Sequence, residues 1–142
     1  MICGLGTDII GIERVRQSWQ RHGQRFLDRV YTADEQAYCL DFAEPAERLA
    51  ARWAAKEATL KALGSGLIGD MRMHEIEVVR NHLGAPGLRL HGAVAAYAAR
   101  LGPITTWLSL SHAAGVAVAT VIIETATESL PPPPPPSAKD WL

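Results

Sequence analysis

The sequence predicts an α+β fold in which a long helix packs on a small antiparallel sheet. Three features support this prediction: a glycine-containing strand at residues 2–9, a long helical segment at residues 46–63, and two alternating segments at residues 104–112 and 116–124. Strict alternation of apolar residues is typical of strands, whereas recurrence every three or four residues is typical of helices. With 142 residues, the chain is expected to form one domain.

Composition and charge narrow the possible functions. Hydrophobic residues make up 48% of the chain and charged residues 20%, as in ordinary soluble proteins. The net charge of -1 provides no overall attraction to nucleic acid or membranes. Cys3 and Cys39 lack the spacing of metal ligands. We expect each to be a small buried apolar residue rather than a disulfide partner. Because the sequence shows neither a signal peptide nor about 20 consecutive apolar residues, we expect a cytoplasmic protein without membrane or nucleic-acid partners.

One boundary divides the chain into a domain at residues 1–124 and a tail at residues 125–142. The tail contains six consecutive prolines. Proline cannot donate a backbone hydrogen bond and favours the polyproline II conformation. We therefore expect a disordered extension outside the fold, with a ligand for a proline-binding groove as the alternative.

The first half of the domain is predicted to contain one strand and three helices. In the strand at residues 2–9, alternation places Gly4, Gly6 and Asp8 on one face. A helix at residues 13–22 follows. Thr32 and Glu35 have the spacing of a capping box, which predicts a short helix ending near residue 40. Pro45 and Gly64 then suit the start and the end of the helix at residues 46–63.

The second half is predicted to contain four strands and one helix. Residues 73–80 form a strand that pairs with residues 88–91 across a turn. A helix at residues 93–101 is closed by Gly102 and Pro103. The last two strands, at residues 104–112 and 116–124, are joined by a tight Ala-Ala-Gly turn.

The long helix carries an unusual set of charges. Its apolar stripe consists of Leu49, Trp53, Leu60 and Leu63. Lys56 falls in the middle of this stripe, where it must either extend to solvent or meet an anion. Glu57 lies at the stripe's edge, with Lys61 further round and Arg52 one turn before Lys56. These charges fit an anion and metal site, although an ordinary solvated helix edge with i,i+4 pairs explains them equally simply.

Asp8 and the loop after the long helix offer further ligands. Magnesium is commonly held by one or two carboxylates together with phosphates and water, and Asp8 and Glu57 could form such a site. Asp8 alone could equally cap the next helix. The loop at residues 64–66 could bring backbone N–H groups, beginning with Gly64, to a phosphate. A simple helix C-cap is the plainer interpretation of that glycine.

His112 and a run of arginines complete the candidate residues. His112 ends a strand, and its neighbours Ser109 and Ser111 lie on the opposite face, so the spacing predicts no serine–histidine pair. Five arginines lie between residues 14 and 29. If this segment is helical throughout, Arg14, Arg21 and Arg25 fall within about 40° of one another. Such a face suits an acidic protein partner, and a solvated face is the alternative.

Taken together, these segments resemble a known family. The segments GLGTDIIGIERV, RLAARWAAKEATLKALGSG, HEIEVV and SLSHAAGVAVATVIIE occur in this order, with a GAP turn before the last. They are similar to the holo-[acyl-carrier-protein] synthases, the short type of 4′-phosphopantetheinyl transferase. The resemblance covers residues 2–124 and excludes the proline-rich tail.

The resemblance implies a reaction and a metal site. In this family coenzyme A donates its phosphopantetheine arm to a serine of an apo acyl carrier protein, and adenosine 3′,5′-bisphosphate is released. The family holds Mg²⁺ with an aspartate and a glutamate that match Asp8 and Glu57. Lys61 is then expected to contact the pyrophosphate and stabilise the leaving group. Either Glu57 or a water molecule would accept the serine proton.

The resemblance also suggests where the nucleotide and the carrier bind. Arg52 and His112 match family positions near the nucleotide, and Lys56 is a candidate for a further phosphate contact. Acyl carrier proteins are acidic and dock on the family's first helix, which makes Arg14, Arg21 and Arg25 candidate contacts. The family assembles as a trimer with sites at its subunit interfaces, so we expect a homotrimer.

One position departs from the family pattern. The aspartate that usually follows the histidine of SLSH is replaced here by Ala113. This change alone favours a rival hypothesis, a non-catalytic module that binds carrier proteins. A nucleotide-binding regulatory domain is a third hypothesis, with only the scattered cations in its support.

Overall fold

The computed structural model describes residues 1–126, which form five strands, five helices and two short 3-10 turns. The predictions made for residues 127–142, including the proline tract, lie outside this range. In chain order the elements are β1 (Ile2–Gly11), α1 (Ile12–His22), α2 (Gln24–Val30), α3 (Ala33–Leu40), α4 (Pro45–Leu63), the turn Met73–Glu75, β2 (Ile76–Arg80), β3 (Pro86–Leu90), α5 (Gly92–Ala98), the turn Ala99–Leu101, β4 (Ile104–Ala113) and β5 (Val116–Thr125).

The strands form two antiparallel units, which confirms the predicted α+β class. The larger sheet has the order β1-β5-β4, and β2 pairs with β3 as a separate hairpin. The long helix α4 lies across one face of the larger sheet. Within residues 1–126 no helix is both long and apolar enough to cross a bilayer.

The contact between α4 and β1 is unusually close because two glycines face the helix. A Cβ atom on Gly6 would lie 1.9 Å from the carbonyl oxygen of Ala58, and one on Gly4 would lie 2.2 Å from that of Ala62. The predicted glycine face of the strand is therefore the face that meets α4. Ala54, Ala55 and Ala58 are fully buried in α4, since small side chains allow this close approach.

The predicted ends of α4 are confirmed within one residue. Pro45 occupies the first helical position, where its missing N–H is not needed. Gly64 adopts a left-handed conformation with φ 71°, and its N–H bonds back to carbonyl oxygens of the last turn. The capping box of Thr32 and Glu35 at the start of α3 is also present.

Several boundaries differ from the predictions. The predicted helix at residues 13–22 matches α1, but Gly23, with φ 57°, separates it from an unpredicted helix, α2, so the condition for one arginine face over residues 14–29 is not met. The predicted strand at residues 73–80 begins with a 3-10 turn, in which the Glu75 carboxylate accepts from the Arg72 and Ala93 N–H groups. Likewise, the helix predicted for residues 93–101 ends as a 3-10 turn.

Both ends of β5 are held by specific backbone features, a hydrogen bond to Met1 at one end and a tight turn at the other. The N–H of Thr125 donates to the carbonyl of Met1, so the strand extends one residue beyond the predicted domain end. At the other end, Ala114 (φ 51°) and Gly115 (φ 80°) make a two-residue turn between β4 and β5. Positive φ at both central residues is the requirement of a type I′ hairpin turn.

Candidate active site

Three of the predicted site residues converge between β1 and α4. The Lys61 ammonium lies 3.0 Å from Asp8 Oδ1 and donates a second hydrogen bond of 3.0 Å to the Thr7 carbonyl. Glu57 lies one helical turn before Lys61, so both side chains face β1 from the same side of α4. The close contact of Gly6 with the backbone of α4 holds Asp8, two residues further along β1, beside this part of the helix.

The Asp8 carboxylate lies close enough to Glu57 to affect the pKa of that side chain. Partial burial raises the pKa of Glu57 above the usual glutamate value, and the negative charge of Asp8 raises it further. The Lys61 ammonium acts in the opposite direction and lowers this pKa. The site therefore favours an additional positive charge beside Glu57 and Asp8.

This donor set fits magnesium. Mg²⁺ prefers oxygen ligands and is typically bound through one or two carboxylates, with water and substrate phosphates completing its coordination. Within residues 1–126, no group of three or more His, Cys, Asp and Glu side chains is arranged to hold a metal ion. A metal at Asp8 and Glu57 would thus depend on water and phosphate oxygens for its other ligands.

Lys56 does not belong to this group. Its ammonium is fully buried and lies 2.7 Å from Glu35 Oε1, with a further hydrogen bond to the carbonyl oxygen of Ile76. Burial lowers the pKa of Lys56, and Glu35 counteracts that effect. This pairing argues against the expected phosphate contact, because the charge of Lys56 is satisfied inside the protein.

Sequence reasoning missed Glu35 as the counter-ion of Lys56. The capping box already explained the presence of Glu35, whose Oε1 accepts from the Thr32 N–H. Its other oxygen, Oε2, also accepts from the N–H of Val78. One buried carboxylate thus links α3, α4 and β2. A lysine on an apolar stripe does signal the need for an anion, but the sequence does not indicate which acid meets it.

Arg52 faces a different cleft from Asp8. It is 2% exposed, and its guanidinium stacks on the Tyr38 ring at 4.4 Å from the ring centroid. Arg80 approaches the same ring at 5.4 Å, and the two arginines line a cleft of about 260 Å³ between α3 and the hairpin. Within the described part of the chain, the Arg52 Nε atom has no hydrogen-bond partner.

His112 is also separate from Asp8 and Glu57. It ends β4 with Nδ1 3.9 Å from Glu47 Oε2, beside Ala113 and the β4–β5 turn. Glu47 and Glu57 are ten residues apart on α4, a rise of about 15 Å along the helix axis. One copy of the chain therefore does not bring His112 to the Asp8 cluster.

The remaining candidates are Gly64 and the three arginines. Gly64 closes α4 with its own N–H, and the Ser65 N–H bonds to Leu60, so these amides are already occupied. This argues against Gly64 as a phosphate-binding amide. Arg14, Arg21 and Arg25 are all exposed, but the break at Gly23 places Arg25 on α2 rather than on the helix of the other two.

Comparisons with known proteins agree with the fold. Residues 4–121 match the model of the 4′-phosphopantetheinyl transferase superfamily. The holo-[acyl-carrier-protein] synthase of Koribacter versatilis is 48% identical over 124 residues, covering 87% of this chain and 99% of that protein. That of Chloroflexus aurantiacus is also 48% identical, over 82% of this chain and 94% of the relative.

Solved structures give the same result. The holo-[acyl-carrier-protein] synthase from Neisseria meningitidis superposes with a TM-score of 0.78 at 32% identity, over 88% of this chain and all of the other. The synthase of Bacillus anthracis in complex with CoA has a TM-score of 0.72 at 30% identity, over 89% and 99% of the two chains. The chain therefore belongs to the 4′-phosphopantetheinyl transferase superfamily.

Proposed function

We propose that this protein transfers the 4′-phosphopantetheine group of coenzyme A to a serine of an apo acyl carrier protein. The observation that carries the proposal is the convergence of Asp8, Glu57 and Lys61 on one side of α4. Two carboxylates and a half-exposed lysine are suited to a pyrophosphate and its counter-ion. Relatives named for this activity cover 87% and 82% of the chain.

The chemistry requires positioning and charge neutralisation rather than a covalent intermediate. The serine oxygen forms a bond to the phosphorus that bears pantetheine, and the bond to the bridging pyrophosphate oxygen breaks. Adenosine 3′,5′-bisphosphate leaves with the negative charge. Lys61 neutralises part of this charge, and the serine proton passes to Glu57 or to a water molecule.

Asp8 and Glu57 are the residues that would hold Mg²⁺. When bound, the ion supplies charge neutralisation on the pyrophosphate. The two carboxylates would hold the ion, and the close contact of Gly6 with α4 keeps the strand of Asp8 against the helix of Glu57. Burial raises the pKa of Glu57 and the charge of Asp8 adds to this effect; a bound cation would relieve the repulsion between the two carboxylates.

The direct test uses the mass of the carrier. The full-length protein is incubated with coenzyme A, MgCl₂ and an apo carrier protein, and the carrier is followed by intact-mass spectrometry. The proposal expects the gain of one phosphopantetheine group, which disappears when EDTA is added. Tight carrier binding without any mass gain would instead identify the non-catalytic module suggested by Ala113.

We propose that the acidic carrier docks on α1 and α2 through Arg14, Arg21 and Arg25. All three side chains are exposed, and no other element covers them in residues 1–126. The Arg14→Glu substitution is expected to raise the KM for the carrier by about tenfold, because a favourable charge contact becomes repulsive. The KM for coenzyme A should change less than twofold. The control is Arg100→Glu, at a position just before β4, and it should change each of the two KM values less than twofold. Equal changes in the two KM values for Arg14→Glu would contradict this docking face.

We also propose a homotrimer in which sites form between subunits. The sheet face opposite α4 carries exposed Leu5 (66%), Ile9 (65%) and Trp107 (57%). Leu5 and Trp107 both flank Ile122 in the sheet register, so they form a continuous apolar row. A second copy packed on this face would bury it. Assembly would also allow the His112 of one copy to serve the Asp8 cluster of another.

The assembly can be tested with one substitution on that face. Leu5→Glu is expected to convert a trimer to a monomer in light scattering after size exclusion, because a buried unpaired carboxylate is costly. Transfer activity should fall together with assembly. Leu83→Glu, at an exposed position on the β2–β3 hairpin, is the matched control and should leave the mass unchanged. A monomeric wild-type protein would contradict the proposal.

We propose a cytoplasmic location. Cys3 and Cys39 are both free thiols in the structure, as expected in a reducing compartment. Burial raises the pKa of Cys39 to about 11, so this thiol is unreactive at neutral pH.

A further inference from the structure

Lys61 uses the same carboxylate that the proposed metal requires. Its ammonium lies 3.0 Å from Asp8 Oδ1, and the Thr7 carbonyl accepts its second hydrogen bond. The Asp8 side chain is only 16% exposed, so few directions remain from which a cation can approach it. The Lys61 side chain is 48% exposed and can therefore turn away from Asp8 without disturbing the core.

The charges around Asp8 explain why Lys61 rests there. Asp8 and Glu57 repel each other, and the lysine is the cation that lies beside both carboxylates. A second positive charge on the same carboxylates would face repulsion from Lys61. A phosphate anion changes this balance, because it gives the ammonium a new partner while it also attracts a metal ion.

We propose that Lys61 competes with Mg²⁺ for Asp8 and gives it up when the coenzyme A pyrophosphate binds, so that metal and coenzyme A enter the site cooperatively. This inference rests on the proposed function. It assigns Lys61 a second role besides contact with the leaving group, namely the exclusion of metal from a site without substrate. The binding of each ligand then promotes the binding of the other by the same factor.

The first measurement is the affinity for Mg²⁺ alone, by isothermal titration calorimetry at constant ionic strength. Lys61→Met keeps most of the length of the unbranched side chain but removes its charge. Because Lys61 is half exposed, its effect is close to that of a charge in water, and the variant is expected to bind Mg²⁺ about fivefold more tightly than the wild type. Unchanged or weaker binding by Lys61→Met would overturn the inference.

Two controls separate this effect from net charge and from misfolding. Arg100→Gln also removes one positive charge, but at a distant turn, and its Mg²⁺ affinity should equal that of the wild type. Lys61→Arg keeps the charge and should bind Mg²⁺ no more tightly than the wild type. Circular dichroism and thermal unfolding of each variant establish that the fold is intact.

The second measurement is the coupling between the two ligands. The titration is repeated in the presence of saturating coenzyme A. In the wild type, coenzyme A should increase the affinity for Mg²⁺ by about tenfold, which is a typical coupling between two ligands. In Lys61→Met the increase should be distinctly smaller. Equal coupling in both proteins would overturn the inference. By contrast, a wild type that binds no Mg²⁺ even with coenzyme A would contradict the proposed metal site itself, so the two failures are distinguishable.

Discussion

Replacing Glu57 with glutamine is expected to reduce kcat/KM for carrier modification by about 10³-fold, the scale of losing one electrostatic contact to a transition state. The change removes one of the two carboxylates that would hold Mg²⁺ but keeps the size and shape of the side chain. Intact-mass kinetics at saturating MgCl₂ provide the measurement. Glu44→Gln, at the other end of α4, is the matched control and should retain wild-type activity.

The same substitution should make the free protein more stable at neutral pH. Since burial and Asp8 raise the pKa of Glu57, the folded state binds more protons than the unfolded state in the range just above the usual glutamate pKa. The wild type therefore loses stability as the pH rises through that range, whereas Glu57→Gln does not. We expect the Tm advantage of the variant to be larger at pH 7.5 than at pH 4. An activity near that of the wild type, or a lower Tm at pH 7.5, would contradict the assigned role of Glu57.

Adding a single methyl group at Gly6 is expected to cost about 3 kcal/mol or more in the free energy of unfolding. A Cβ there would lie 1.9 Å from the carbonyl oxygen of Ala58 and 2.8 Å from the backbone nitrogen of Ala62. Both atoms belong to the helix backbone, so no side chain can rotate to make room. The strand and α4 would have to separate, which would also move Asp8 away from Glu57.

The control for Gly6→Ala lies in the same strand. A Cβ on Gly11 would meet no atom within 4 Å, and its φ of -68° suits any residue. Gly11→Ala is therefore expected to be neutral or to stabilise the protein by about 0.5 kcal/mol through the unfolded state. Urea unfolding at one fixed protein concentration compares the two variants. Similar stabilities for Gly6→Ala and Gly11→Ala would show that α4 does not need the close approach.

Elements with strong local signals were predictable from the sequence. The ends of α4 follow from Pro45 and Gly64, and the start of α3 follows from the Thr32 capping box. The end of α1 at His22 agrees with the predicted helix at residues 13–22. The short helix α2 was missed because it spans only seven residues, with a single glycine, Gly23, separating it from α1. The 3-10 turn before β2 was missed because it depends on Glu75, which bonds to the N–H of Ala93 far along the chain.

In the candidate site, too, local sequence signals were predictable and contacts between distant residues were not. Motif order identified Asp8, Glu57 and Lys61, since the family resemblance rests on short segments whose spacing is visible in one sequence. The sequence placed Lys56 and Arg52 with them, because both lie within a few turns of Glu57 and Lys61 on the same helix. The structure separates them: Lys56 pairs with Glu35 in the interior, and Arg52 stacks on Tyr38 in another cleft.

The sequence by itself determined the α+β class, the family and the residues that carry charge into the site. Only the tertiary structure decided which of those charges meet. Helix and strand periodicity specify the direction of a side chain relative to its own element, but not which distant residue lies opposite. Asp8 and Lys61 are 53 residues apart, and the absence of a side chain at Gly6 lets their backbones come close enough for a 3.0 Å ion pair.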